Sequence, residues 1–390
     1  MNSKERVRVA VAHREPDRVP VFELSINSPV ASDIMGRQMY VGFGGWLVAK
    51  VFSEWMAEGR VLELALKIFS DWIDLYSHLE LDILPMPTLP LTNETVEPVA
   101  ENQWKYTDPD SGLWRVIGYN PESDYHSEID SRIKQEGVPG LRHHVEWLEK
   151  RPGLVSADLM AGLKAVLDPA RERFFILGEA DVLFPSEASW QPLFLECMAL
   201  EPELIDRYFE ATTNEVLTLI DAEAEAGVDG FVGGVDFAYH STTLFSPAMF
   251  RRFIFPHMRR ITERCHSRGL PFFKHTDGNI ENIENELLLG CGIDGYHAIE
   301  PTAGMDIARL KRQYGDKITL LGNIDCGDLL TNGSPEDVTK AVGQCIRDCA
   351  PGGGYVLSSS NSIHSGIPTQ NFLAMLKAAR EYGTYPMRNS

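Results

Sequence analysis

The stretch 270-LPFFKHTDGNIENIENELLLGCGIDGYHAIEP-301, read with 318-ITLLGNID-325 and 354-GYVLSSSNSIH-364, decides the fold class. Apolar, β-rich runs end repeatedly in polar residues with chemical capability. The endings are His275 and Asp277, Glu300, Asn323 and Asp325, and Asn361. In an α/β barrel the carboxyl ends of the strands form one rim, and chemistry sits on that rim. Several polar endings converging there mark an active site more strongly than any one alone.

Working outward, eight strand candidates emerge: 18–24, 81–86, 174–180, 228–236, 271–277, 295–300, 318–324 and 355–360. Most are near-continuous apolar runs, the pattern of parallel strands covered on both faces. Helical patterns separate most of them. One runs from Pro202 to its stop at Gly227. A second opens at Ser246-Pro247 and runs towards Gly269, with a kink expected at Pro256. A third opens at Ser334-Pro335-Glu336, an N-cap followed by proline and acid. The alternation predicts an α/β fold, a single TIM (β/α)8 barrel over residues 1–390. Two spans break the rhythm, about 27–80 and 87–150. The second holds a hairpin over 94–119 with Asp110-Ser111-Gly112 as a turn. Both are read as insertions roofing the barrel mouth.

The bulk numbers narrow the classes. A chain of 390 residues with 44% hydrophobic content can bury a large core. It has no run of eighteen apolar residues, so no membrane span is expected. The charged start, MNSKERVRVAVAHREPDRVP, lacks an apolar signal core, and a cytoplasmic location is expected. A net charge of −20 repels phosphate backbones and argues against nucleic acid as a partner. The six cysteines are scattered without a CxxC, which implies neither a disulfide framework nor a metal knuckle. The motifs of P-loops, dinucleotide folds, serine hydrolases and HExxH zinc enzymes are all missing.

On the rim, His275 and Asp277 stand two apart and point to one face if both are in strand conformation. They suit a general acid/base pair or two ligands of a metal such as Zn²⁺. The alternative is a strand-end histidine bonded to a turn-forming Asp-Gly. Asp236 ends a glycine-marked strand, with Phe237, Tyr239 and His240 after it. Aromatic residues beside a strand-end carboxylate suit a flat substrate, although Asp236 could equally cap the turn. Glu179 ends a very apolar strand, where burial would raise its pKa. Glu23 and Glu300 end their strands similarly, and Asn361 offers an oxygen ligand or an amide donor.

This series resembles the uroporphyrinogen decarboxylase-like superfamily. The likeness is clearest over 200–385 and extends to 4–24. It is carried by 226-AGVDGFVGGVDFAY-239, Ser246-Pro247, 275-HTDG-278, 294-DGYHAIEPTAGMD-306, 319-TLLGNID-325, 352-GGGYVLSSSN-361 and 368-PTQNFLAM-375. The resemblance implies a TIM barrel with its active site at the strand carboxyl ends. It implies one of two chemistries: decarboxylation of uroporphyrinogen, or methyl transfer involving a corrinoid. The zinc-thiol methyltransferases of the second branch carry His-x-Cys where this chain has His275-Thr276-Asp277, and a further Cys near Asn361. The harder set here points away from a thiol acceptor and towards an oxygen substrate. The decarboxylases hold their anionic substrate with an Arg-rich N-terminal segment, whereas 21-VFELSINSPVASD-33 has no Arg.

The expectation is therefore a corrinoid-dependent methyltransferase. It would take a methyl group from a methoxylated aromatic compound to cob(I)alamin carried by a partner corrinoid protein. His275, Asp277, Glu179 and Asp236 are the expected catalytic residues, with a zinc ion on His275 and Asp277 as a variant. Tyr239, Phe237, Trp190, Phe22, Tyr296 and Asn361 are the expected substrate contacts. A homodimer is expected from the resemblance. The alternatives are a decarboxylase that needs no cofactor, and a non-catalytic barrel that only binds the corrinoid protein.

Overall fold

The computed structural model describes residues 1–387 apart from 88, 90, 91, 152–161, 163 and 166. Three positions of the span read as a second insertion thus lie outside the described residues. The fold is mixed α/β. In chain order the strands are β1 (Ile83–Pro85), β2 (Thr95–Ala100), β3 (Gln103–Thr107), β4 (Trp114–Asn120), β5 (Tyr125–Ser131) and β6 (Phe175–Glu179). They continue with β7 (Gly230–Gly233), β8 (Phe272–Thr276), β9 (Gly295–Ala298), β10 (Thr319–Leu321) and β11 (Tyr355–Val356). A seven-stranded sheet runs β1-β6-β7-β8-β9-β10-β11, every pairing parallel. It is a curled half-barrel, consistent with a TIM-like barrel.

The run 18–24 does not form a regular strand. It is extended and makes single bridges instead. Val21 O accepts from Asp82 N just before β1, while Phe22 N donates to Leu357 O just after β11. This segment spans the two edges of the parallel sheet. Pro20 offers no amide N–H, which limits how far the ladder can extend.

Alternation along the strands makes two apolar layers. Phe175, Leu177, Val232, Phe273, Leu321 and Val356 pack together with Phe22 and with Val7 of the helix Ser3–Val11. Their neighbours Ile176, Phe231, Phe272, Tyr296, Leu320 and Tyr355 join the larger core that includes the outer helices. Fully burying such a side chain stabilises the fold by about 1.5–3 kcal/mol. Aspartates ahead of three strands lock the far end of the sheet. Asp82, Asp229 and Asp294 accept the amides of Val21, Ile176 and Phe272 at 2.9, 3.0 and 2.7 Å.

The helices follow their local signals. Helix Pro202–Ala226 starts on proline and stops where Gly227 takes φ 98°, a left-handed cap. Helix Pro335–Cys349 is capped by Ser334, whose side chain accepts from Asp337 N. Near Pro256 the helix does not simply kink. It widens to a π-helix over Phe250–Ile254 and resumes as Phe255–Ser267. Pro256 has no N–H for the carbonyl four residues back, which favours such a local rearrangement.

The four strands β2–β5 form a separate antiparallel sheet. At the β3–β4 turn Asp108 accepts from the amides of Asp110 and Ser111, and Gly112 takes φ 66°. No helix among the described residues is long and apolar enough to cross a membrane.

Candidate active site

A cavity of about 850 Å³ opens at the carboxyl ends of the parallel strands. Glu179, Asp236, His275, Asp277 and Asn361 line it from the barrel, and Phe43, Val48, Ile117, Tyr125 and His126 line it from the two interrupting spans. Strand β8 ends at Thr276, yet His275 and Asp277 both reach the cavity. Thr276 between them turns away, and its hydroxyl accepts from Phe237 N at 2.8 Å. Gly278 permits the tight turn behind Asp277. It takes φ 81°, and a Cβ there would meet Tyr239 O at 2.4 Å.

Asp236, His275 and Asp277 form one cluster, with a potential ligand atom from each within 4.8 Å of the others. His275 Nε2 lies 3.7 Å from Asp236 Oδ1 and 3.8 Å from Asp277 Oδ1. Asp236 Oδ1 accepts from Asp277 N at 2.9 Å, and Asn361 Nδ2 donates to Asp277 Oδ2. Asp277 Oδ1 is buried without a hydrogen-bond partner. The second nitrogen of His275, Nδ1, bonds Nδ1 of His297 at 2.8 Å.

Burial sets the protonation states. It pushes Asp277 well above the usual carboxyl range, with Asp236 and Glu300 adding repulsion. Burial also raises Asp236. It lowers His275 to about 3, with the charge of Lys274 as a smaller cause, so the imidazole is neutral. Two carboxyl groups so close cannot both ionise freely, and a proton or a cation must neutralise one of them. One nitrogen and two carboxylate oxygens make a donor set suited to Zn²⁺ or a similar divalent ion. Tetrahedral ligands about 2.0–2.2 Å from zinc stand roughly 3.4 Å from each other. The two separations from His275 Nε2, 3.7 and 3.8 Å, are a few tenths of an ångström longer than that.

Lys274 anchors the cluster from behind. Its fully buried ammonium donates to Asp181 Oδ2 at 2.6 Å and to Val235 O, and lies 4.0 Å from the Phe237 ring centroid. Asp181 in turn accepts from Val235 N at 2.8 Å and from Val182 N at 2.7 Å. Burial drives both groups towards their neutral forms, while their mutual attraction and the two amides favour the charged pair. Both polar groups of Val235 are thereby held, which fixes the approach to Asp236.

The cavity lining is strongly acidic. Asp124, Glu128, Glu179, Glu187, Asp236 and Asp277 face it, against Arg115 as the one Lys or Arg among the described lining residues. Arg115 already pairs with Glu94 at 2.6 and 2.8 Å. Glu179 ends β6 facing the cavity, and its pKa is raised by desolvation and by Asp181.

The expected residues divide cleanly by position. His275, Asp277, Asp236, Glu179 and Asn361 come together on the cavity. The expected aromatic contacts do not line it. Phe22, Phe237 and Tyr296 are fully buried, Trp190 packs among Phe194, Tyr208 and His144, and Tyr239 is 56% exposed beyond the lining. Phe43, Tyr125 and Phe184 supply the aromatic surface instead. Glu300 steadies the turn by accepting from Gly278 N at 2.8 Å. Asn323 donates to Ile299 O, and Asp325 caps a turn through Gly327, Asp328 and Leu329. Glu23 lies wholly buried, where Ser359 holds it by both hydroxyl and amide. His297, Lys274 and Asp181 carry no motif that marks them in the sequence. The strand phase shared by His275 and His297 was a usable signal for the first.

Residues 191–382 match the family model Uroporphyrinogen decarboxylase (URO-D). The chain is 28% identical over 196 residues to the uroporphyrinogen decarboxylase of Alkalilimnicola ehrlichii, covering 48% of this chain and 50% of that one. It is 24% identical over 214 residues to that of Coxiella burnetii strain Dugway 5J108-111, covering 51% and 54%. The chain spans about half the length of these curated relatives. In fold it is similar to a methyltransferase from Methanosarcina mazei, with a TM-score of 0.63, 19% identity and coverage of 98% and 99%. The family model thus covers a little under half of this chain, and the Methanosarcina mazei structure shows a likeness of fold.

Proposed function

We propose that this protein is a corrinoid-dependent methyltransferase. It takes a methyl group from a methoxylated aromatic compound and passes it to cob(I)alamin on a partner corrinoid protein. The observation that carries the reading is the Asp236–His275–Asp277 cluster on the cavity, with its buried, unpartnered carboxyl oxygen. The Methanosarcina mazei neighbour, named as a methyltransferase, adds support. So does the acidic lining, which suits a neutral donor and repels a polycarboxylate.

Breaking an O–CH3 bond leaves an alkoxide or phenoxide, a poor leaving group. The corrinoid would supply the nucleophile for the methyl carbon. The carbon–oxygen bond electrons then pass to the ether oxygen, which must receive a positive partner. Asp277, held protonated by burial and by its acidic neighbours, can deliver a proton there. A divalent cation on Asp236, His275 and Asp277 would polarise the same oxygen instead. Asn361 orients the Asp277 carboxyl by its amide hydrogen bond. Phe43, Tyr125 and Phe184 offer apolar surface to an aromatic ring.

The names of the curated relatives favour a second reading, a decarboxylase that needs no cofactor. One experiment separates them. The protein is mixed anoxically with cob(I)alamin and a panel of methoxyaromatics, and the Co(I) absorption is followed. Loss of that band, dependent on both protein and donor, supports methyl transfer. An unchanged band, with free cobalamin and with corrinoid proteins, together with CO₂ release from a porphyrinogen, supports the decarboxylase.

A further inference from the structure

Glu23 lies in the extended segment between the two sheet edges, and its side chain is fully buried. No cation pairs with it among the described residues. Both carboxyl oxygens meet Ser359. Oε1 accepts from Ser359 N at 3.2 Å, and Oε2 is in hydrogen-bond contact with Ser359 Oγ. The same Oγ lies 2.5 Å from the main-chain oxygen of Asn361. The Asn361 side chain continues the series towards the cavity. Its Oδ1 accepts from Ser362 N, which fixes the orientation of the amide and leaves Nδ2 for Asp277 Oδ2.

Counting hydrogens decides the state of Glu23. Each of the two oxygen–oxygen contacts of Ser359 needs a hydrogen between its atoms, since facing lone pairs repel. Ser359 supplies one hydroxyl hydrogen, and the Asn361 carbonyl supplies none. The second hydrogen has to come from the Glu23 carboxyl. An ionised Glu23 would draw the serine hydrogen to itself and leave Ser359 Oγ and Asn361 O facing each other bare. It would also be a buried charge without a counter-charge. In keeping with this, burial pushes the carboxyl up to about 8. The titratable groups nearby do not alter the count. The Tyr76 hydroxyl donates to Glu23 O at 2.8 Å, and the Cys326 thiol, a weak donor, stands 3.5 Å from Asn361 O.

We propose that Glu23 is a neutral carboxylic acid acting as a positioning residue: its O–H holds Ser359 Oγ, the serine hydrogen is thereby turned onto the Asn361 carbonyl, and the Asn361 amide is kept on Asp277. The first two links join the segment at the start of the barrel to the loop after β11. The consequence for catalysis rests on the proposed reading of the Asp236–His275–Asp277 site, whereas the hydrogen-bond series does not.

The test uses the full-length protein and two spectroscopic readouts. The infrared difference spectrum between wild type and Glu23→Gln at neutral pH should contain the C=O stretch of a protonated carboxylic acid. Carboxylate bands in its place overturn the proposal. The second readout is the ¹⁵N signal of the Asn361 side-chain amide, assigned by its loss in Asn361→Asp. A glutamine amide can donate to Ser359 Oγ as the acid O–H does, so Glu23→Gln should leave that signal in place. Glu23→Leu and Ser359→Ala should shift it towards its position in Asp277→Ala, where the bond to Asp277 is gone. An Asn361 signal unmoved in both of these variants overturns the proposal, and so does a Gln variant that behaves like the Leu variant. Should the Leu variant fail to fold, the infrared band and Ser359→Ala still decide. An Asn361 signal that moves as expected, in a protein whose wild type transfers no methyl group, upholds the positioning and removes the proposed function.

Discussion

Lys274 Nζ and Asp181 Oδ2 form an ion pair 2.6 Å long in which the lysine side chain is fully enclosed and the aspartate 3% exposed. Removing one partner leaves an uncompensated charge in an apolar setting. Lys274→Met should therefore destabilise the protein by about 3–5 kcal/mol in urea denaturation. The double variant with Asp181→Leu should regain part of that loss, since no isolated charge remains. A double variant as unstable as the single would show that packing, not charge, dominates here.

His275→Ala and Asp277→Ala should each reduce methyl transfer by about 10²–10⁴-fold, the usual contribution of an acid/base group. Their circular dichroism should match the wild type, since both side chains face the cavity. Turnover retained in both variants would remove these residues from the mechanism.

Glu23 gives a pH-dependent stability. Burial raises its carboxyl from 4.5 to about 8, so the folded state binds a proton more tightly than the unfolded chain. The stabilising effect is full below pH 4.5 and is lost as pH rises towards 8. Thermal melts should show the wild type losing more stability between pH 5 and pH 8 than Glu23→Gln does. Glu223 shares the same shift, so the difference between the two proteins isolates Glu23. Parallel curves for wild type and variant would contradict this account.

Asp277→Cys changes the softness of the donor set without moving its backbone. A thiolate prefers soft ions. The variant should bind Cd²⁺ more tightly than the wild type and develop ultraviolet sulfur-to-metal absorption on titration. Cd²⁺ binding without that band would place the ion elsewhere.

The parallel strands were legible because burial on both faces leaves short, nearly continuous apolar runs such as 174–178 and 271–273. The polar strand ends were legible too, and five of those residues meet on one cavity. The aromatic lining was not. Tyr296 sits one residue before His297, so alternation sends it to the opposite side of the sheet. Phe237 follows Asp236 but packs over Lys274. Phe43, Tyr125 and Phe184 come from irregular segments or from a sheet outside the barrel, where no periodic pattern points to the cavity. The aspartates 82, 229 and 294 form a repeated strand-start signal that becomes visible only once their backbone partners are known.

The segment around Val21 and Glu23 also bears on how the chain is made. Its contact with Ser359 joins residues 336 positions apart. At about 5–20 residues per second, a ribosome needs roughly 17–70 s to supply that partner. During this interval the nascent sheet lacks its last strand, and Phe22 lacks its late packing neighbours. The pairing of this segment with the last strand is thus a late event in biosynthesis, which makes the waiting segment a natural client for chaperones that shield apolar chain.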